Sequence, residues 1–255
     1  MRSLLLALCA ALIAGGALLA TAATSPFHMA GPGAAIEGGE RAGFGRKVRD
    51  FLIANPEVLV EAMQEFERRQ DSQRDSMAQK AISQHRAELL SDPDAPFSGN
   101  GAGDVVIVDF NDYQCPYCKR AHLAVKAVAA ADGKVKVVYK DLPILGEPSR
   151  IAALAALAAA KQGKHLAMHN ALMEFSGKLD RDRILEIAAS VGLDVALLQK
   201  DMDDPKFKQL IDRNMALAGA LGVRGTPAFV IGNQFVPGAI DADALKQLIA
   251  DARKR

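Results

Sequence analysis

Hydrophobic positions recur along this chain in several distinct patterns, and each pattern predicts a different kind of element. The first is an unbroken apolar run from Leu4 to Ala20, with Arg2 before it and Ala20-Thr21-Ala22 at its exit. A basic start, an apolar middle and an Ala-x-Ala exit read as a cleaved export signal over residues 1–22. An uncleaved anchor is the rival reading, because the run approaches bilayer-spanning length; Gly15-Gly16 and the small exit residues favour cleavage. Residues 23–45, rich in Gly, Ala and Pro and without periodicity, read as a flexible leader. Over residues 46–92 the pattern becomes helical: Asn55-Pro56-Glu57 is a start signal, so one helix should begin near Pro56 after a short one ending near Ala54. Val48, Leu52, Leu59, Met63 and Phe66 share one face, which turns polar at Gln70 and Gln73. So short a stripe must pack on the rest of the chain or on copies of itself, and the pattern alone leaves those two open.

Ser91 to Gly103 holds Pro93, Pro96, Gly99, Gly101 and Gly103 and reads as a linker, with the next domain spanning 93–255. Val105-Val106-Ile107-Val108 is a β-branched run of the kind buried on both sheet faces. A helix from Cys115 to Ala131 follows and Gly133 ends it; a second strand runs Val135 to Lys140. Between about 149 and 220 the periodicity is wholly helical, with helices over Ile151 to Lys161, His165 to Phe175 and Arg181 to Val191, and further turns after Asp194 and Asp204. Strands Ala228 to Ile231 and Gln234 to Val236 flank Gly232-Asn233, a tight hairpin pair. A helix capped by Asp241 closes the chain over Ala242 to Lys254. This order predicts an α/β fold with one mixed sheet, its first two strands parallel through a crossover helix, and an all-α segment ahead of it.

Composition narrows the function. Half of the 255 residues are hydrophobic and the formal charge is +1, so there is a core to build but no clustered cationic footprint for nucleic acid. If the export signal is removed, Cys9 goes with it and only Cys115 and Cys118 remain. A single C-x-x-C pair closes too short a loop to staple the fold, so reactivity explains it better. Cys115 stands where a strand hands over to a helix, facing unpaired N–H groups and the positive end of the helix, both of which favour a thiolate. It is assigned as nucleophile, and Cys118, one turn deeper, as resolving thiol. Half of a metal site, or two inert core thiols, is the plain alternative. His165 and His169, four apart, complete a nominal zinc set with the cysteines. The two pairs lie far apart in sequence, however, and the preferred reading of the histidines is a solvated or partly buried helix face. No cofactor is implied.

Asp109 to Cys118, reading Asp-Phe-Asn-Asp-Tyr-Gln-Cys-Pro-Tyr-Cys, together with the helical insertion and Gly225-Thr226-Pro227-Ala228-Phe229-Val230, resembles the DsbA-like branch of the thioredoxin superfamily. The resemblance covers about Ala95 to Arg255. It implies a thioredoxin fold, a cis peptide between Thr226 and Pro227 lying against the dithiol, and substrate binding by Pro116, Tyr117, Thr226 and Pro227. It also implies that Asp109 is a buried acid that moves the proton of the resolving thiol; in a hydrophobic strand desolvation would raise its pKa as that task requires. The plain alternative for Asp109 is a strand-end carboxylate paired with a Lys such as Lys140. The Pro116-Tyr117 dipeptide also occurs in glutaredoxins, from which the export signal, length and insertion distinguish this chain. Thr before the cis proline tilts the expected direction towards reduction and isomerisation. The segment Phe51 to Leu59 and the Glu-rich helix after it resemble the appended domain of ScsC-type proteins, named for suppression of copper sensitivity, which implies a homo-oligomer, in that group often a trimer. The expected activity is thiol–disulfide exchange on exported proteins in the periplasm, coupled to a redox partner such as a membrane reductase or oxidase. The alternative is a Cu(I)-binding copper-tolerance protein using the Cys115 and Cys118 thiolates.

Overall fold

The structure, a computed structural model, describes residues 38–254. The expected export signal lies outside them, as does most of the leader, but α1 (Gly38–Ala54) begins inside the stretch read as leader. The helix break falls where the sequence placed it, with α2 (Glu57–Gln84) following Pro56. Asn55 acts differently from expectation: its side chain donates back to the Phe51 carbonyl at 2.8 Å, closing α1 instead of capping α2. Along these two helices Phe44, Phe51, Leu59, Met63 and Phe66 are exposed. Among the described residues no helix is long and apolar enough to cross a membrane.

The chain divides into two compact units at about residue 60. In the second, Ala78 and Ile82 near the end of α2 are buried, and α3 (Arg86–Leu90) contributes Leu89. A five-stranded sheet follows in the order β1-β3-β2-β4-β5. β2 (Val105–Asn111) and β3 (Val135–Asp141) are parallel, joined through α4 (Pro116–Ala131); β4 (Ala228–Ile231) runs antiparallel to β2, and β5 (Gln234–Pro237) antiparallel to β4. The two-residue hairpin turns at Gly232, whose φ of +60° suits a residue without Cβ. β1 (Phe97–Gly99), antiparallel to β3, lies within the stretch read as linker: three residues among turn formers leave no periodicity to detect.

Alternation along β2 feeds two cores. Val105 and Ile107 pack with Ala121, Val125 and Val128 of α4 and with Leu245 and Ile249 of α10 (Ala242–Arg253). Val108 and Phe110 face the other way, against Ile82, Leu89 and Leu217. The helical insertion consists of α5 (Glu147–Ala159), α6 (His165–Glu174), α7 (Arg181–Ser190), α8 (Val195–Met202) and α9 (Pro205–Ala220), and it forms a third core. Asp180, Asp194, Asp204 and Asp241 each accept a backbone N–H at a helix start. Tyr113, Cys115 and Cys118 belong to this third core, so the dithiol sits where the insertion meets the sheet.

Candidate active site

The segment between β2 and α4 is held by one buried carboxylate. Asp112 accepts N–H groups from Gln114 at 2.8 Å, Ile144 at 2.9 Å and Leu145 at 3.0 Å, tying it to the loop after β3. Its own carbonyl accepts the Cys115 N–H at 3.0 Å. Cys115 thereby occupies the cap position of α4 in extended conformation, and Pro116, which has no N–H to leave unpaired, opens the helix.

The Cys115 thiol lies 3.2 Å from the Thr226 carbonyl and donates to it. The Thr226–Pro227 peptide bond is cis, and pairing of Phe110 with Ala228 brings that loop beside the dithiol. Pro227 is buried and Thr226 half-buried, while Pro116 and Tyr117 are exposed. The Arg120 guanidinium lies 4.9 Å over the Tyr117 ring. Both cysteines are free thiols. Cys118, one turn into α4, is 2 % exposed, and its sulfur accepts the Asp112 N–H at 3.5 Å. Burial pushes this thiol well above its ordinary range; the Asp112 N–H opposes that rise and the negative charge of Asp109 adds to it.

Asp109 is buried, and desolvation together with the neighbouring Asp141 pushes its carboxyl up to about 8. Its Oδ1 has no hydrogen-bond partner. A pairing with Lys140 is ruled out by register. Asp109 stands opposite Tyr139 and Phe110 opposite Lys140, so the pleat sends Asp109 and Lys140 to opposite faces. Lys140 instead meets Asp92 at 2.6 Å.

His165 and His169 correct the expectation of a solvated or partly buried face. Both are buried, His169 completely, because α6 lies over the sheet and turns them onto Tyr139, with ring centroids 5.5 and 4.2 Å away. Burial pushes the His165 imidazole down to about 4. Asp112, Tyr113, His122 and Asp141 were not singled out from the sequence. Only Asp112 left a readable trace: an Asp two residues before a backbone N–H that it accepts, an Asx turn ahead of the cysteine.

A mixed sheet, a dithiol at a helix start and a cis proline against its first sulfur define a thioredoxin-fold protein with a helical insertion. Residues 106–250 match the DSBA-like thioredoxin domain, and residues 40–73 match the copper resistance protein ScsC N-terminal domain. The chain belongs to the DsbA-like thioredoxin family and carries the ScsC-type N-terminal domain, and its fold is that of a thiol–disulfide oxidoreductase. A thioredoxin-like oxidoreductase from Silicibacter pomeroyi is 48% identical, covering 67% of this chain and 98% of its own, with a TM-score of 0.66. Proteus mirabilis ScsC in a transitional conformation is 30% identical over 85% of this chain and 98% of its own, TM-score 0.64. A periplasmic thioredoxin-like protein from Salmonella enterica serovar Typhimurium is 32% identical over 67% of this chain and 96% of its own, TM-score 0.62. The chain spans about a quarter of the length of the curated relatives it matches first, Na(+)/H(+) antiporters such as NhaA 1 of Salinispora arenicola, 28% identical over 164 residues.

Proposed function

We propose that this protein is a periplasmic disulfide isomerase and reductase of exported proteins, working through Cys115-Pro116-Tyr117-Cys118 as a self-associated assembly. The observation that carries the reading is the Cys115 sulfur at the start of α4, 3.2 Å from the carbonyl that precedes the cis proline, with a buried second thiol one turn behind it. In the reaction the Cys115 thiolate attacks one sulfur of a substrate cystine, forming a mixed disulfide and releasing the other sulfur as thiolate. In isomerisation that released thiolate attacks a different substrate disulfide, the substrate thiolate this frees attacks the mixed disulfide, and Cys115 leaves, with no net change of oxidation state. In reduction Cys118 gives its proton to Asp109 in its ionised form and attacks Cys115. The substrate then leaves as a dithiol, the protein is left with a Cys115–Cys118 disulfide, and a redox partner of the dithiol class restores it. Pro116, Tyr117 and the Thr226–Pro227 loop hold the substrate segment.

Self-association is supported by the exposed apolar residues of the N-terminal helices, Phe51 at 55% and Phe66 at 61% among them, since a lone soluble chain rarely carries so many on one segment. Periplasmic location is supported by the export-signal pattern and by the Salmonella relative. The test is Cys118→Ala in the full chain. Trapped mixed disulfides with a scrambled substrate, refolding of that substrate by the unmodified protein, and an oligomer by light scattering that dissociates on Phe51→Glu with Phe66→Glu are the expected results. No trapped species would defeat the proposal, and stoichiometric Cu(I) on the reduced protein alongside it would favour the copper reading.

A further inference from the structure

Beneath the dithiol lies a polar interior that the exchange steps above use only in part. The register of β2 with β3 sets Asp109 beside Tyr139 and Asn111 beside Asp141 on the sheet face that α4 and α6 cover. His122 of α4 and His165 and His169 of α6 converge there, all buried. The Tyr113 hydroxyl is hydrogen-bonded to His169 Nδ1 at 3.0 Å. That hydroxyl also interacts with Asp141, whose carboxylate oxygens make no full hydrogen bond. The His122 ring stands edge-on to His169, centroids 5.2 Å apart. His122 Nε2 is 3.6 Å from Glu174 Oε1, and Glu174 is 42% exposed and paired with Lys126. Ionisable groups therefore run from the buried acids behind Cys118 to the surface.

As mere packing these side chains are poor choices. His165 offers both ring nitrogens, and His169 its Nε2, to no protein partner, and an unpaired buried polar atom carries a desolvation cost that an aliphatic side chain would not. We propose that Tyr113, His169 and His122 form a proton path between the buried carboxylates behind Cys118 and Glu174 at the surface. The proposal rests on the exchange reading above. As the Cys118 sulfur attacks Cys115, the Cys115–substrate S–S bond breaks and the Cys115–Cys118 bond forms. The Cys118 proton passes to Asp109, and the substrate thiolate takes a proton from solvent. The proton on Asp109 then leaves by way of Asp141, the Tyr113 hydroxyl and the two imidazoles. Burial pushes Asp109 up to about 8 and Asp141 up to about 7, so both can take and release a proton near neutrality. Burial, with the charges of His165 and His122, holds His169 well below its ordinary range, so it passes a proton without storing it.

Other groups also face the path. Asp112, ahead of α4, and Asn111 of β2 act on Asp141, the first raising and the second lowering its carboxyl. Tyr139 comes from β3, His165 from α6, and Lys119 and Lys126 from α4; Lys119 is engaged by the Leu172 and Phe175 carbonyls at 2.8 and 2.7 Å.

Tyr113→Phe keeps the ring and removes the hydroxyl; Glu174→Gln alters only the surface end and keeps the proposal testable if the first variant does not fold. Stopped-flow release of a fluorescent thiol peptide from Cys115 is followed from pH 5 to 9 in H2O and D2O. The attack by Cys115 is measured separately in the Cys118→Ala background. Tyr113→Phe is expected to release about tenfold more slowly at pH 7, with a displaced pH midpoint, a larger solvent isotope effect and unchanged attack. Glu174→Gln should shift the same midpoint with a smaller loss of rate. Normal mixed disulfides with unchanged release profiles in the two variants would overturn the path alone; no mixed disulfide with Cys118→Ala would overturn the exchange reading and the path with it.

Discussion

Replacing Asp109 by Asn keeps the shape of the side chain and removes its ionisation, which isolates the cost of burying that carboxyl. Its ordinary value of 3.8 is pushed up to about 8 in the fold, so between those values the unfolded chain releases a proton that the folded chain retains. Stability is therefore fully present below about pH 4 and is lost as pH rises through about 8. At pH 7 the gap is about three pH units, and at about 1.4 kcal/mol per unit Asp109 destabilises the fold by about 4 kcal/mol. The Asn amide inherits a site where Oδ1 already lacks a partner, so its own burial adds a fixed offset that does not vary with pH. Urea denaturation of the reduced protein and the variant at pH 4, 5.5 and 7 reads the difference. The variant should gain about 2 kcal/mol relative to the parent between pH 4 and 5.5, and about 4 kcal/mol between pH 4 and 7. Parallel stability curves for the two proteins would refute the assignment of a buried Asp109 whose carboxyl is pushed up to about 8.

Histidine burial has the opposite sign. Because burial pushes His165 down to about 4 from 6.5, the unfolded chain takes up a proton first, and stability falls as pH drops from about 6.5 to 4. His165→Leu should remove about 3 kcal/mol of that acid sensitivity, and equal slopes in acid denaturation curves would count against it. Asp112→Ala leaves the N–H groups of Gln114, Ile144 and Leu145 without their acceptor and should cost at least about 3 kcal/mol in urea unfolding; a loss below about 1 kcal/mol would show that the loop repairs itself. Ile184→Ala, in the fully buried core of the insertion, should cost about 2–5 kcal/mol while leaving the rate of Cys115 alkylation unchanged. A slowed alkylation would mean that the insertion sets the thiol's reactivity directly.

Legibility in the sequence followed the range over which each feature is decided. The dithiol at a helix start, the β-branched strand before it, the Asn55-Pro56-Glu57 break and the cap at Asp241 all depend on residues within one or two turns of each other, and all were readable. β1 was not, because three residues among Gly, Pro and Ser become a strand only by pairing with Val137 and its neighbours in β3. Most of the role of Asp112 is hidden from the sequence for a similar reason: beyond its Asx turn to Gln114, two of its three N–H partners come from the far side of β3.

What the sequence by itself determined was the class of chemistry and the order of elements, since capping, periodicity and turn propensity act locally and carry their own signatures. Only the tertiary structure decided which polar residues face inward. The spacing of His165 and His169 places them on one helix face but does not say whether that face meets water or Tyr139. The register of β2 against β3, which separates Asp109 from Lys140 and sets it among Tyr139 and Asp141, depends on which face of each strand the covering helices bury. That choice comes from packing across the whole sheet, and no single segment encodes it.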